Sequence, residues 1–186
     1  NLLNSKYDVA AYYVTATAEA ATNLQRFDGV RYGYRADCNS LSELFIKTRS
    51  EGFGKEVQRR ILLGNFVLSS GYYDAYYVKA QKTREFIKNE YLSIFKEADI
   101  IIMPVTPSPA FEFNSFKEPL EMYLEDIYTI SVNLAGLPGI SVPTGYDSCK
   151  LPTAVQLLAK HFDEQTLFDA AAVVEDISAF KNVLID

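Results

Sequence analysis

Two charged side chains occupy positions in predicted helices where a charge is unusual. Arg60 follows Val57 by three residues and precedes Gly64 by four, so its guanidinium adjoins a position without a side chain. Asp126 precedes Ile130 by four residues and lies among apolar neighbours. A charge in such surroundings requires a partner. The spacing leaves two interpretations open, an ion pair between Arg60 and Asp126 or a ligand site formed by them.

Few other side chains could carry catalysis. The single histidine, His161, and the two cysteines, Cys38 and Cys149, are far apart and form no C-x-x-C or H-x-x-x-H pattern, which excludes a His-rich or Cys-rich metal site. His161 follows a predicted edge strand, where a surface or half-buried structural role is expected. The cysteines are expected to be reduced thiols, with a long-range disulfide as the lesser alternative.

Composition limits the class of protein further. The chain has 186 residues, 48% hydrophobic and 23% charged, which suits a globular domain or a large part of one. A net charge of −6 argues against direct binding of nucleic acid. The sequence contains no apolar run of about 18 residues, so we expect no membrane span. Its opening does not resemble a signal peptide, and it indicates either a processed chain or the interior of a longer one.

Hydrophobic periodicity predicts helices first and short strands later. The sequence Ser40-Leu41-Ser42-Glu43 is a capping box, and Gly64 inside the next helix indicates close packing or approach of a ligand. Strands separated by helices predict an α/β layered fold. Predicted helices cover 18–27, 41–52, 55–69, 76–98, 119–134 and a segment from Asp163 onward; predicted strands cover 99–103, 140–144 and 153–159.

Five stretches of the sequence stand out as motifs: AEA and NL within 18–24, RFDGVRYG at 26–33, EGFGKEVQRRILLG at 51–64, GYYDAYY at 71–77 and NLAGLPGISVP at 133–143. Together they resemble the amidase signature family, and within it the glutamine-hydrolysing subunits of tRNA-dependent amidotransferases. The resemblance extends from about Tyr12 to the last helix. The stretch NLAGLPGISVP is shared loosely among amidases, whereas RFDGVRYG and GYYDAYY are more specific.

The resemblance implies a mixed sheet covered by helices, of which this chain supplies the helix-rich C-terminal part. Residues 1–186 would then form part of a single amidase domain. The family's Ser-Ser-Lys triad and its oxyanion-hole loop match no position in the sequence. The resemblance therefore implies that this chain contains no catalytic residue and is inactive alone.

The resemblance also implies a role in binding glutamine. Arg60 and Asp126 match the family positions that hold the α-carboxylate and the α-ammonium, and Tyr12 is a weaker match because Tyr13 is adjacent. The family's triad serine releases ammonia from glutamine. In a heterotrimeric complex, a partner subunit uses ATP and magnesium and carries most of the contact with tRNA. The resemblance thus implies conversion of Glu-tRNA(Gln) to Gln-tRNA(Gln) in the cytoplasm, and we expect no metal, cofactor or membrane contact in this chain.

Two alternatives to this function stay open. One is a different amidase of the same family, acting on small or aryl amides. The other is a noncatalytic helical interaction module, to which the tyrosines at 72, 73, 76 and 77 would contribute; core or subunit packing of these rings is favoured over lining a pocket. A core shared with a missing part also predicts exposed apolar surface and aggregation of the isolated chain.

Overall fold

The computed structural model describes residues 7–113, 115, 119–178 and 180, with only the backbone of 119 and 120. Helices are α1 (Asp8–Leu24), α2 (Leu41–Gly52), α3 (Lys55–Val67), a π-helix (Tyr73–Val78), α4 (Lys79–Ile94), α5 (Pro119–Leu124), α6 (Ile127–Ala135) and α7 (Glu164–Ser178). Strands are β1 (Ile101–Pro104), β2 (Gly139–Tyr146) and β3 (Pro152–Leu158). Two compact units result, one comprising Asn1–Val9 with Thr83–Asp186 and the other Ala10–Lys82. The interpretation of residues 1–186 as part of one domain stays a prediction.

The first unit is built on an antiparallel sheet with the order β1-β3-β2. Helix α7 packs on this sheet, and Val142, Leu157 and Leu167 belong to the shared core. Because β3 pairs with β1 on one side and β2 on the other, it is a central strand of this sheet. The prediction that His161 follows an edge strand is therefore wrong. The hairpin of β2 and β3 pairs only one edge of β3, and β1 pairs with the other edge.

Helix α6 is the buried helix of the first unit, and its C-terminal carbonyls are fully partnered. Gly136 adopts the left-handed conformation, with φ of 72°, and its N–H donates to the carbonyl of Asn133. Arg84 Nε donates to the Leu134 carbonyl at 2.9 Å, and His161 Nε2 lies 3.0 Å from the Ala135 carbonyl. His161 is thus half-buried in a structural role, as predicted. These contacts fix the axis of α6 and with it the position of the residue before its first turn.

Three predicted helices differ from the observed ones. The helix predicted over 18–27 is the second half of α1, which begins at Asp8, because the aromatic and β-branched residues before Ala18 have low intrinsic helix propensity. The helix predicted over 119–134 is interrupted at Glu125 and Asp126, so that α5 and α6 are separate. The helix predicted from Tyr76 begins as a π-helix, whose wider turn shifts the apolar stripe. Tyr76 is consequently exposed, whereas Ile87 and Tyr91 further along are buried.

In the second unit, α1 and α3 meet at Gly64. A Cβ atom on Gly64 would lie 2.6 Å from the Cβ of Ala21 and closer still to the carbonyl oxygen of Thr17. Of the two interpretations of this glycine, close packing is confirmed, because the space over Gly64 is filled by α1. The interpretation that Gly64 leaves room for a ligand beside Arg60 is wrong for the same reason.

Large apolar side chains remain exposed in both units. They include Leu62, Phe86 and Ile102, which are 71%, 49% and 60% exposed. The expectation of exposed apolar surface is confirmed, and aggregation of the isolated chain stays a prediction. In the part of the chain that the structure describes, each helix is too short or too polar to span a bilayer.

We expect Gly64→Ala to lower the free energy of unfolding of the full-length protein by about 2–3 kcal/mol, because the added methyl group forces α1 and α3 apart. Gly54→Ala is the matched control, since a Cβ there meets no atom within 4 Å. Urea unfolding of the two variants measures the difference. Equal unfolding midpoints for both would contradict the packing described for Gly64.

Asp8, at the start of α1, is a buried acid in the first unit, and its Oδ1 has no hydrogen-bond partner among the described residues. Burial, with a smaller contribution from the charge of Glu90, raises its pKa from 3.8 to about 6. The folded protein therefore holds this proton more tightly than the unfolded chain does. The contribution of protonated Asp8 to the free energy of unfolding is complete below the unfolded pKa of 3.8 and is lost as pH rises through about 6.

We expect Asp8→Asn to raise the free energy of unfolding at about pH 7.5 by of the order of 1 kcal/mol, with the gain disappearing towards about pH 4. Asp28→Asn provides a control of opposite sign, because hydrogen bonds from the backbone N–H groups of Val30 and Arg31 lower the pKa of Asp28. Its effect is destabilising at neutral pH and shrinks on acidification. Urea unfolding across this range checks both trends, and a gain from Asp8→Asn that is independent of pH would refute the first.

Candidate functional site

Arg60 lies on α3 one turn before Gly64, the residue at which α3 meets α1. Its Nε–H donates to Oε1 of Glu56 at 2.8 Å, and its Cζ lies 5.7 Å from the centre of the Tyr13 ring. The hydrogen bond with Glu56 raises the pKa of Arg60, and the same bond lowers the pKa of Glu56. Both groups therefore stay charged at neutral pH.

The Nη edge of Arg60 is the part of the guanidinium that Glu56 leaves open. Arg60 makes its hydrogen bond to Glu56 through Nε. The Arg60 side chain is 37% exposed. A guanidinium held by Nε keeps its two Nη groups as a planar fork of donors. Such a fork matches the two oxygens of a carboxylate.

Tyr12 and Tyr13 lie on α1 and form an edge-to-face pair with ring centres 5.2 Å apart. The tyrosine that contacts the Arg60 guanidinium is Tyr13, whereas Tyr12 contacts the Tyr13 ring. The hydroxyl of Thr17 donates to the Tyr13 carbonyl at 2.6 Å, one turn along α1. The α1 surface that packs on Gly64 thus also presents Tyr13 to Arg60.

Asp126 occupies the N-cap position of α6 in the first unit. Its backbone carbonyl accepts hydrogen bonds from the N–H groups of Thr129 and Ile130, while its side chain makes no capping bond. Asp126 is exposed, so the prediction that it lies among apolar neighbours in a continuous helix is wrong. The break between α5 and α6 turns the residue towards solvent. Its exposed carboxylate can pair with a cation.

The break beside Asp126 is held by the proline-rich segment that follows β1. Ser108 Oγ donates to Oε2 of Glu125 at 2.7 Å. Buried Gln156 on β3 donates to the carbonyls of Pro104 and Tyr128, both at 2.9 Å. The sheet, the proline-rich segment and α6 therefore define where Asp126 lies in its unit.

The remaining candidates carry little chemistry. Both cysteines are free thiols. Among the described residues, no three His, Cys, Asp or Glu side chains group as ligands for a metal ion. The rings of Tyr72 and Tyr76 contact Phe66 yet stay 43% and 45% exposed, so this aromatic cluster is a half-exposed surface feature rather than part of a core.

Glu56 is the neighbour of Arg60 that sequence reasoning missed, whereas Tyr13 was named only as the residue adjacent to Tyr12. The four-residue spacing of Glu56 and Arg60 is a recognisable signal for an ion pair on one helix face. No comparable signal identifies Tyr13, because its contact with Arg60 depends on the packing of two helices. Arg60 belongs to one compact unit and Asp126 to the other, and the assignment of Arg60, Asp126 and Tyr12 to a glutamine site stays a prediction.

Comparison with known proteins places the chain among amidases. The family model described as Amidase matches residues 1–168. The chain is 62% identical over 176 residues to the A subunit of glutamyl-tRNA(Gln) amidotransferase from a Nitratiruptor species, covering 95% of this chain and 40% of that protein. It is 61% identical over 178 residues to the protein of the same name in Campylobacter jejuni, covering 95% and 39%. The chain thus spans about 40% of the length of these relatives.

Solved structures agree with this placement. The crystal structure of the glutamyl-tRNA(Gln) amidotransferase A subunit from Thermotoga maritima matches with a TM-score of 0.68 and 39% identity, over 97% of this chain and 34% of that one. An amidase crystal structure matches with a TM-score of 0.69 at 19% identity, over 94% and 36%, which supports the fold alone. The expected α/β fold and the resemblance drawn from the motifs are both confirmed, and the chain belongs to the amidase family.

Proposed function

We propose that the full-length protein containing this chain is the glutamine-hydrolysing subunit of a tRNA-dependent amidotransferase that converts Glu-tRNA(Gln) to Gln-tRNA(Gln). The observation that supports this most directly is 61–62% identity, over 95% of the chain, to relatives that bear the name of the A subunit of glutamyl-tRNA(Gln) amidotransferase. The accompanying proposals are a cytoplasmic location, partner subunits that use ATP and magnesium, and contact with tRNA mainly through those partners.

In this proposal, the chain recognises the two charged groups of free glutamine. The Nη fork of Arg60 binds the α-carboxylate, and the carboxylate of Asp126 binds the α-ammonium. Tyr12 completes the binding site as a weaker assignment. The exposed Nη edge of Arg60 and the uncapped side chain of Asp126 supply the matching charges.

Chemistry on the side-chain amide belongs to a serine outside these residues. That serine attacks the amide carbon, ammonia leaves, and water hydrolyses the acyl-enzyme to glutamate. Binding of both the α-carboxylate and the α-ammonium group fixes where the amide carbon can lie relative to the nucleophile. Arg60 and Asp126 therefore act on the rate by positioning the substrate.

We expect Arg60→Ala, in the full-length protein within its complex, to raise the KM for glutamine by about 10- to 100-fold, because a charge-assisted bidentate contact is lost. Activity supported by ammonium chloride should remain close to wild type, since ammonia bypasses the glutamine site. Arg59→Ala is the matched control, being the adjacent and more exposed arginine, with a side chain that is 53% exposed. Equal loss with both nitrogen donors would remove Arg60 from the glutamine site.

Asp126 can be tested with substrate analogues. The wild type should hydrolyse glutamine in preference to its analogue without the α-amino group, 5-amino-5-oxopentanoic acid. We expect Asp126→Asn to reduce this preference by about tenfold or more, because the ion pair with the ammonium is lost. Glu125→Gln removes the neighbouring charge but keeps a side-chain oxygen that can accept from Ser108, so it should leave the preference unchanged.

A wild type that prefers propionamide to glutamine would favour a different amidase activity.

A further inference from the structure

The carboxylate of Glu56 contacts two arginines on the same helix. One oxygen, Oε1, accepts the Nε–H of Arg60 at 2.8 Å, and the other pairs with Arg59. Glu56 lies in the first turn of α3, and its side chain is 47% exposed. A single carboxylate therefore contacts two guanidinium groups on the same helix.

Stability does not account for the arrangement around Arg60. Exposed ion pairs at this helical spacing contribute only about 0.3–0.5 kcal/mol to folding. Glu56 instead restricts the guanidinium, because an acceptor at Nε fixes the plane in which the Nη groups lie. The Tyr13 ring, 5.7 Å from Cζ, limits the same group from the neighbouring helix.

Glu56 accepts its hydrogen bond from Nε of Arg60, the nitrogen that is not needed when the two Nη groups bind a carboxylate. A carboxylate ligand needs two parallel N–H donors, and the Nη1 and Nη2 groups provide them when Nε is already occupied. In the opposite arrangement, with Glu56 on the Nη edge, the helix's own carboxylate would compete with the ligand.

We propose that Glu56 is a positioning residue for recognition of the glutamine α-carboxylate, acting through Arg60 with Tyr13 as a second support. This inference rests on the proposed function. Glu56 holds the long Arg60 side chain in its binding orientation before the substrate arrives, so that less side-chain freedom is lost on binding. The residue does not contact the substrate.

The test compares Glu56→Ala and Glu56→Gln with Arg60→Ala in the full-length protein within its complex. We expect Glu56→Ala to raise the KM for glutamine about three- to tenfold with little change in kcat, because Arg60 regains rotamer freedom that binding must then restrict. Glu56→Gln should retain much of the wild-type KM, since an amide oxygen can still accept from Nε. Activity with ammonium chloride should not change in either variant.

Glu43→Gln is the matched control, because Glu43 also lies in the first turn of a helix and pairs with a cation four residues later. Its Oε1 lies 2.7 Å from Nζ of Lys47. It should leave the KM for glutamine unchanged. Adding Glu56→Ala to Arg60→Ala should raise the KM no further than Arg60→Ala alone, as expected for a residue that acts through Arg60. Should Glu56→Ala fail to fold, Glu56→Asp carries the test, because the shorter side chain cannot keep the same contact with Nε and should also raise the KM.

The outcomes separate the two proposals. If Arg60→Ala raises the KM while both Glu56→Ala and Glu56→Asp leave it unchanged, the positioning role is overturned and the glutamine site stands. If Glu56→Ala lowers glutamine-dependent and ammonia-dependent activity equally, its role is structural and the inference is also overturned. If Arg60→Ala itself leaves the KM unchanged, the proposed carboxylate site and the inference fall together.

Discussion

The close approach of α1 to Gly64 is the contact on which the second unit depends. No side chain fits between Gly64 and the Thr17 carbonyl, so the two helices touch through backbone atoms. One turn away on each helix, the same approach brings Tyr13 to Arg60. Gly64 has no functional side chain, yet its packing determines the surroundings of Arg60, the proposed ligand of the glutamine α-carboxylate. Interiors pack too densely to absorb an extra methyl group at such a contact.

The first unit fixes its own candidate residue by a different means. Helix α6 is short, but its carbonyl end is tied by Gly136, Arg84 and His161, and Gln156 joins it to the sheet. Buried hydrogen bonds of this kind are costly to leave unmade, which gives the helix a single position. Asp126 is therefore carried at the start of a rigid element, with its carboxylate directed outward.

Much of the local structure follows from particular residues. Ser40 accepts from the N–H of Glu43 as the capping box predicts, Gly52 ends α2, and the apolar runs near 101 and 155 form strands. The break at Asp126 was missed because Pro119 and the apolar residues after it are compatible with one continuous helix. The π-helix was missed because a wider turn leaves the amino-acid pattern almost unchanged over six residues. At the break, the contact of Ser108 with Glu125 from a separate segment accompanies a conformation that local propensity does not specify.

The amino-acid sequence by itself determined the family, most of the helical and strand segments, and the choice of Arg60 and Asp126, because these depend on motifs and short-range spacing. Tertiary structure decided that Gly64 serves packing rather than ligand approach, that Tyr13 rather than Tyr12 contacts Arg60, and that Asp126 is exposed at a helix start. Each of these outcomes depends on atoms from segments far apart in the chain. Spacing along one segment reports which face of a helix a residue occupies, but it does not report what packs against that face.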